Sequence, residues 1–90
     1  MTFIPLFEVP VSAEDIAKGR PCSSRSCPVA LAVRRNLGFS ANISPYSATL
    51  IRNYTSFARF ELSPATAAWI RQFDANPTNG AFTAVFGVYK

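Results

Sequence analysis

The sequence predicts an α+β domain: a small, mostly antiparallel sheet of four to five strands, with two short helices and one longer helix packed on one face. Three observations carry that expectation. Apolar residues alternate with period two at both ends of the chain and through its middle. Between those stretches stand a capping box and two prolines placed at helix starts. Eight Phe, three Tyr and one Trp in 90 residues then supply a dense core for so short a chain, each ring burying about 150–250 Å². The order strand, helix, helix, two or three strands, helix, strand is met best by helices segregated to one sheet face. At roughly 100–200 residues per domain, residues 1–90 form one compact domain.

The first strand runs through MTFIPLFEVPV, with Phe3, Phe7, Val9 and Val11 on one face and Ile4, Leu6 and Glu8 on the other. Pro5 and Pro10 donate no N–H, which places this strand at an edge of the sheet. Ser12 fits a helix N-cap, Asp15 three residues on completes a capping box, and Val11 with Ile16 forms a hydrophobic staple. Gly19 is expected to end this two-turn helix in the left-handed conformation, with Pro21 beyond it. Residues 20–26, RPCSSRS, are a polar loop.

Pro28 opens the second helix, whose stripe is Val29, Val33 and Leu37 and whose stop is Gly38. From Phe39 to Leu62 the spacing predicts two or three strands, interrupted at Pro45 and turning at Arg52-Asn53. Ser63-Pro64 begins a helix over 64–75, with Trp69 and Phe73 on its apolar face and Pro77 after it. Asn79-Gly80 is a turn signal, and Phe82, Ala84, Phe86 and Val88 alternate in a closing strand.

Charge narrows the function classes. The net charge is +4, and residues 16–60 hold Lys18, Arg20, Arg25, Arg34, Arg35, Arg52 and Arg59 with no acid among them. Such a field attracts phosphate backbones or acidic protein faces. The chain contains no histidine, which removes the usual general base, the commonest metal ligand and every histidine-dependent triad. Its four glycines are scattered singly and make no phosphate cradle. Glu14 and Asp15 are adjacent on a helix and diverge, so they suit its N-terminus better than a catalytic pair. The expectation is a protein with no cofactor and no catalytic residues.

Met1–Val11 has no basic n-region or cleavage site, so no signal peptide is expected. No apolar run approaches the roughly 18 residues that span a bilayer, so no membrane partner is expected and the chain is placed in the cytoplasm. Cys22 and Cys27 enclose SSRS. Without histidine they cannot complete a zinc site. They can pair as a disulfide, which would close a short ring worth about 2 kcal/mol on the loop model. Alternatively Cys27, ahead of Pro28 and near Arg25, is a reactive thiolate at a helix start. The plain alternative is a small cysteine packed or capping there.

What remains is a binding surface, with Arg20, Arg25, Arg34, Arg35, Arg52, Phe57 and Arg59 as its candidate residues. If Tyr54, Ala58, Phe60 and Leu62 face the core, Phe57 falls on the opposite face with Arg59 and Glu61, as an aromatic strip that can stack bases or anchor a protein. Arg20, Arg25, Arg34 and Arg35 make a second patch suited to phosphate or carboxylate. The plain alternatives are arginines that only solvate the surface and a Phe57 covered by other elements.

The segments VSAEDIAKG at 11–19, CPVALAVRR at 27–35 and AWIRQFD at 68–74, followed by a phenylalanine-rich strand, resemble a group of short uncharacterised proteins from bacteriophages and bacterial mobile elements. CPVALA is the most specific of these. The resemblance covers roughly half of the chain and stops at residues 39–61. It implies a phage-encoded interaction protein that binds a host machine stoichiometrically, most concretely an anti-CRISPR or similar inhibitor working in the host cytoplasm. It assigns no functional residues. A basic chain does not suit nucleic-acid mimicry, so the implied partner is a host protein or ribonucleoprotein complex, met through an acidic face or a guide RNA. The second expectation is a nucleic-acid-binding accessory protein that uses the arginines of residues 20–59, with Tyr46, Tyr54 or Phe57 for stacking. An enzyme built on Cys27 is the third. Prolines in the edge strand favour a monomer over a dimer.

Overall fold

Prolines and glycines settle how the chain enters and leaves each element of the computed structural model, which describes residues 1–77 and 80–90. The elements are β1 (Phe3–Val11), α1 (Ala13–Lys18), α2 (Pro28–Leu37), β2 (Ser40–Ile43), β3 (Ser47–Arg52), β4 (Thr55–Leu62), α3 (Pro64–Ala75) and β5 (Phe82–Tyr89). The strands form one antiparallel sheet in the order β1-β5-β4-β3-β2, and the helices cover a single face of it. The α+β reading therefore holds with five strands.

β1 lies at the edge, as its prolines require, paired with β5 alone. On its open side the Pro10 carbonyl accepts hydrogen bonds from Arg35 Nη2 (3.1 Å) and Asn36 Nδ2 (3.2 Å), so side chains of α2 cover the edge there. Phe3 and Phe7 do not share a face. Pro5 pairs with Gly87 but Phe7 with Phe86, so Leu6 is an extra residue that reverses the alternation. Phe7 turns inward against Phe60 and Phe86, whereas Phe3 meets Tyr89 edge-on. Gly87 sits under this bulge. A Cβ there would run into the Ile4 carbonyl and come within 2.8 Å of the Phe3 ring.

The caps follow local chemistry. Ser12 and Asp15 form the full capping box of α1. α2 begins at Pro28 and ends at Gly38, whose φ of 79° is left-handed. Gly19 differs from the expectation: it is extended, with φ −71° and ψ 150°. It is small for a tertiary reason, since a Cβ would come within 2.6 Å of the Pro28 ring. Leu37, placed on the apolar stripe of α2, is exposed, while Val29, Ala30, Ala32 and Val33 are buried.

Pro45 lies in the turn between β2 and β3. The next turn falls at Asn53-Tyr54, one residue later than predicted, with both residues at positive φ (51° and 63°). Leu50 pairs with Ala58 and Ile51 with Ser56, leaving Phe57 as the extra residue of a second bulge.

The inner sheet face presents Val9, Val11, Ala41, Ile43, Ala48, Leu50, Leu62, Ala84 and Phe86 to α2 and α3, with Ile16 of α1, Phe60, Phe82 and Trp69 at its margin. Trp69 stacks on both Phe73 (5.6 Å) and Phe82 (5.1 Å). β4 and β5 are in register at Glu61–Gly87 and Leu62–Phe86. Beside these pairs the start of α3 takes over as Ser63 N donates to the Val85 carbonyl (3.0 Å) and Val85 N donates to Thr66 Oγ1 (2.9 Å). The predicted Asn79-Gly80 turn includes a position outside the described residues. No helix among the described residues is long and apolar enough to cross a membrane.

Candidate functional site

The short edge strand β2 brings a basic groove into being. Its neighbour across the open edge is the loop before α2, where Ile43 N donates to the Ser24 carbonyl (2.7 Å). Arg25 of that loop and Arg34 of α2, exposed on the solvent side of the helix, thereby line one groove with Ser40, Asn42, Asn53 and Tyr54. The groove measures about 580 Å³, and among the described residues no acidic side chain lines it. A smaller cleft of about 150 Å³ continues it beneath the same two arginines, between α2 and the β2–β3 edge. Two guanidinium groups, hydroxyls and amides in an acid-free groove can hold an anion through charge-assisted hydrogen bonds.

Tyr54 stands at the hairpin tip and is fully exposed, at 104% of its reference area. The expectation that it faces the core fails because the turn takes Asn53-Tyr54, at φ 51° and 63°, and leaves the ring in solvent. Phe57 also departs from expectation. The bulge removes it from the alternation that would have set it beside Arg59 and Glu61. Its ring meets Phe39 instead (4.9 Å), and Arg52 lies over both rings, 5.7 Å from Phe39 and 5.1 Å from Phe57. Arg52 and Phe57 are thus together, each still exposed, at the base of the same hairpin.

The other predicted arginines separate. Arg35 braces the fold, donating from Nη2 to Asp15 Oδ2 (2.8 Å) and from Nε to Asp15 Oδ1 (3.3 Å). The Asp15 side chain is 6% exposed and that of Arg35 46%. Burial by itself pushes the Asp15 carboxyl up, but hydrogen bonds from Arg35 and Ser12 outweigh it and hold the carboxyl below its usual value, while Arg35 is raised by the same contact. Arg59 stands 3.7 Å from Glu61, with both residues on the sheet face away from the helices. Arg20 is exposed on the loop, its N–H donating to the Ser26 carbonyl (2.8 Å).

Cys22 and Cys27 are both free, so the disulfide is not formed. Cys27 is buried, and its Sγ caps α2 by accepting from Ala30 N (3.5 Å). Burial pushes its thiol above the usual cysteine range despite hydrogen bonds from the helix start, which overturns the thiolate expectation and leaves the capping one. Cys22 is exposed at φ 57°, and its N–H donates to Asp74 Oδ1 (2.7 Å). The two cysteines line one cleft of about 410 Å³ with Ile43, Ile70 and Asp74. Among the described residues no group of three or more potential ligands could hold a metal ion.

Sequence reasoning named Arg25 and Arg34 but missed Ser40, Asn42 and Ser56, which also line the groove. Their polar alternation along β2 and β4 was the available signal, since a half-buried strand turns its polar residues to solvent. Comparison of the chain with protein-family models, curated proteins and solved structures found no match.

Proposed function

We propose that this chain is a small non-catalytic binding protein of the anti-defence kind, acting by stoichiometric occupation of a host ribonucleoprotein complex, and that the Arg25–Arg34 groove is the surface it uses. The observation that carries this reading is the groove's composition, in which both lining charges are positive and, among the described residues, neither arginine has a carboxylate partner of the kind Asp15 gives Arg35. A buried Cys27 with a raised thiol supports binding over turnover, because a nucleophile needs its thiolate at the surface. Phage origin and the anti-CRISPR mode rest on the sequence resemblance.

The test is titration of the purified chain into an RNA-guided nuclease assay, with the Arg25→Glu/Arg34→Glu double variant alongside. The reading expects inhibition that saturates near one equivalent and is lost in the double variant. Inhibition that grows with time at far below one equivalent would mean turnover and overturn it, as would no inhibition by the native chain. A second reading, a nucleic-acid-binding accessory protein, is favoured by one observation: an aromatic ring left wholly in solvent at the groove's rim.

A further inference from the structure

We infer that the ligand of this groove is an unpaired nucleic-acid strand, with Arg25 and Arg34 on its phosphates and a base stacked on Tyr54. The inference rests on the groove being the binding surface, and it adds the ligand's chemistry and strandedness. Tyr54 carries the second half of it. Among the described exposed large apolar residues, Tyr54 has the greatest fractional exposure, 104% against 99% for Met1 and 66% for Tyr46. It is held at φ 63°, where a side chain with a Cβ is strained, next to Asn53 at φ 51°. Its ring stands wholly in solvent. Tyr46, by contrast, has Arg71 over its ring at 5.8 Å.

Both faces of the Tyr54 ring are open, which is what base stacking requires, and every base offers a π-face. Bases in a duplex are stacked on one another and cannot reach a ring at a hairpin tip, so the geometry selects unpaired bases. The groove adds hydroxyls at Ser40 and Ser56 and amides at Asn42 and Asn53, suited to sugars and base edges. Its lack of carboxylates leaves nothing to repel a phosphate backbone.

Fluorescence anisotropy tests this with labelled oligouridylate and oligothymidylate of about 10 nucleotides and a mixed-sequence duplex of similar length. At about 50 mM salt both single strands are expected to bind at least about tenfold more tightly than the duplex, weakening steeply towards about 200 mM. Tyr54→Ala should lose about tenfold or more in affinity and Tyr54→Phe should retain it, because the ring does the stacking. Arg34→Ala should weaken binding and lower the salt slope by about one. Circular dichroism checks that each variant is folded, and the Tyr54 side chain is wholly exposed. Equal affinity for duplex and single strand, or a folded Tyr54→Ala that binds like the native chain, would overturn the inference. Nuclease inhibition that depends on Arg25 and Arg34 without any oligonucleotide binding would also overturn it, while leaving the groove itself in place.

Discussion

Asp15 and Arg35 tie three elements into one corner of the molecule. Asp15 completes the α1 capping box by accepting from Ser12 N (2.9 Å), and Arg35 reaches from α2 both to this carboxylate and to the Pro10 carbonyl at the end of β1. The pair is therefore the joint at which the first strand, its following helix and the crossover helix are held, and it takes Arg35 out of the set of arginines free to meet a ligand.

This joint makes stability depend on acid pH with a definite sign. The Asp15 carboxyl sits below its ordinary 3.8 in the folded chain, so the folded state binds fewer protons than the unfolded one. Its contribution is present above about pH 4 and is lost as pH falls through the folded value. Asp15→Asn should cost about 1–2 kcal/mol at neutral pH, and the difference from the native chain should narrow as pH falls below the ordinary carboxylate range. Urea unfolding across that range is the measurement. A constant gap at every pH would show that the carboxylate's charge is irrelevant.

The two glycines Gly38 and Gly87 should respond differently to alanine. Gly38 has left-handed φ and no neighbour within 4 Å of a new Cβ, so Gly38→Ala should cost about 1 kcal/mol from backbone strain alone. Gly87→Ala places its methyl on the Ile4 carbonyl, which is backbone and cannot step aside. The β1–β5 register must shift or open, at about 2–3 kcal/mol. If thermal melts put the two variants at the same midpoint, the close approach across the bulge is not a constraint.

The caps and edges of this fold are legible in the sequence because they depend on the residue itself. Pro5 and Pro10 dictate an edge strand, Pro28 and Pro64 open helices, and Ser12 with Asp15 closes a capping box. The bulges at Leu6 and Phe57 are not legible, since each is set by the partner strand's register and not by the alternation of its own strand. That is why alternation alone misplaces the faces of Phe3 and Phe57, whereas Tyr54 leaves the core face because the turn takes it. Gly19 looks like a local stop signal, but its requirement comes from Pro28, which only the tertiary fold brings near. For the groove, the sequence marks arginines without showing which are already engaged. Asp15 takes Arg35 and two rings hold Arg52, while Arg25 and Arg34 are aligned only once β2 has joined β3.

The cysteines should divide cleanly under alkylation. Cys22 is exposed, whereas Cys27 is buried beneath the start of α2 with its thiol above the usual range. Iodoacetamide at neutral pH should label Cys22 in the folded chain and reach Cys27 only after denaturant opens α2, as read by peptide mass spectrometry. Native labelling of Cys27 at the rate of Cys22 would return it to the list of reactive thiols. Cys27→Ser should retain a cap at this N-terminus, since a hydroxyl accepts from N3 at least as well as a thiol, and should cost no more than about 1 kcal/mol for the lost burial.

Tyr54 separates stability from binding. At φ 63° a tyrosine is strained where glycine is not, and its exposed ring returns no packing to the fold. Relief of that strain is partly offset by the greater freedom of glycine in the unfolded chain, so Tyr54→Gly should leave stability level or raise it by about 0.5 kcal/mol. The same change removes the stacking face and should weaken oligonucleotide binding. A residue kept for structure would lower both quantities when replaced, whereas one kept for a ligand moves them apart. Paired chemical-denaturation and anisotropy measurements on this single variant decide between those roles, and a drop in stability of more than about 1 kcal/mol would assign Tyr54 to the fold.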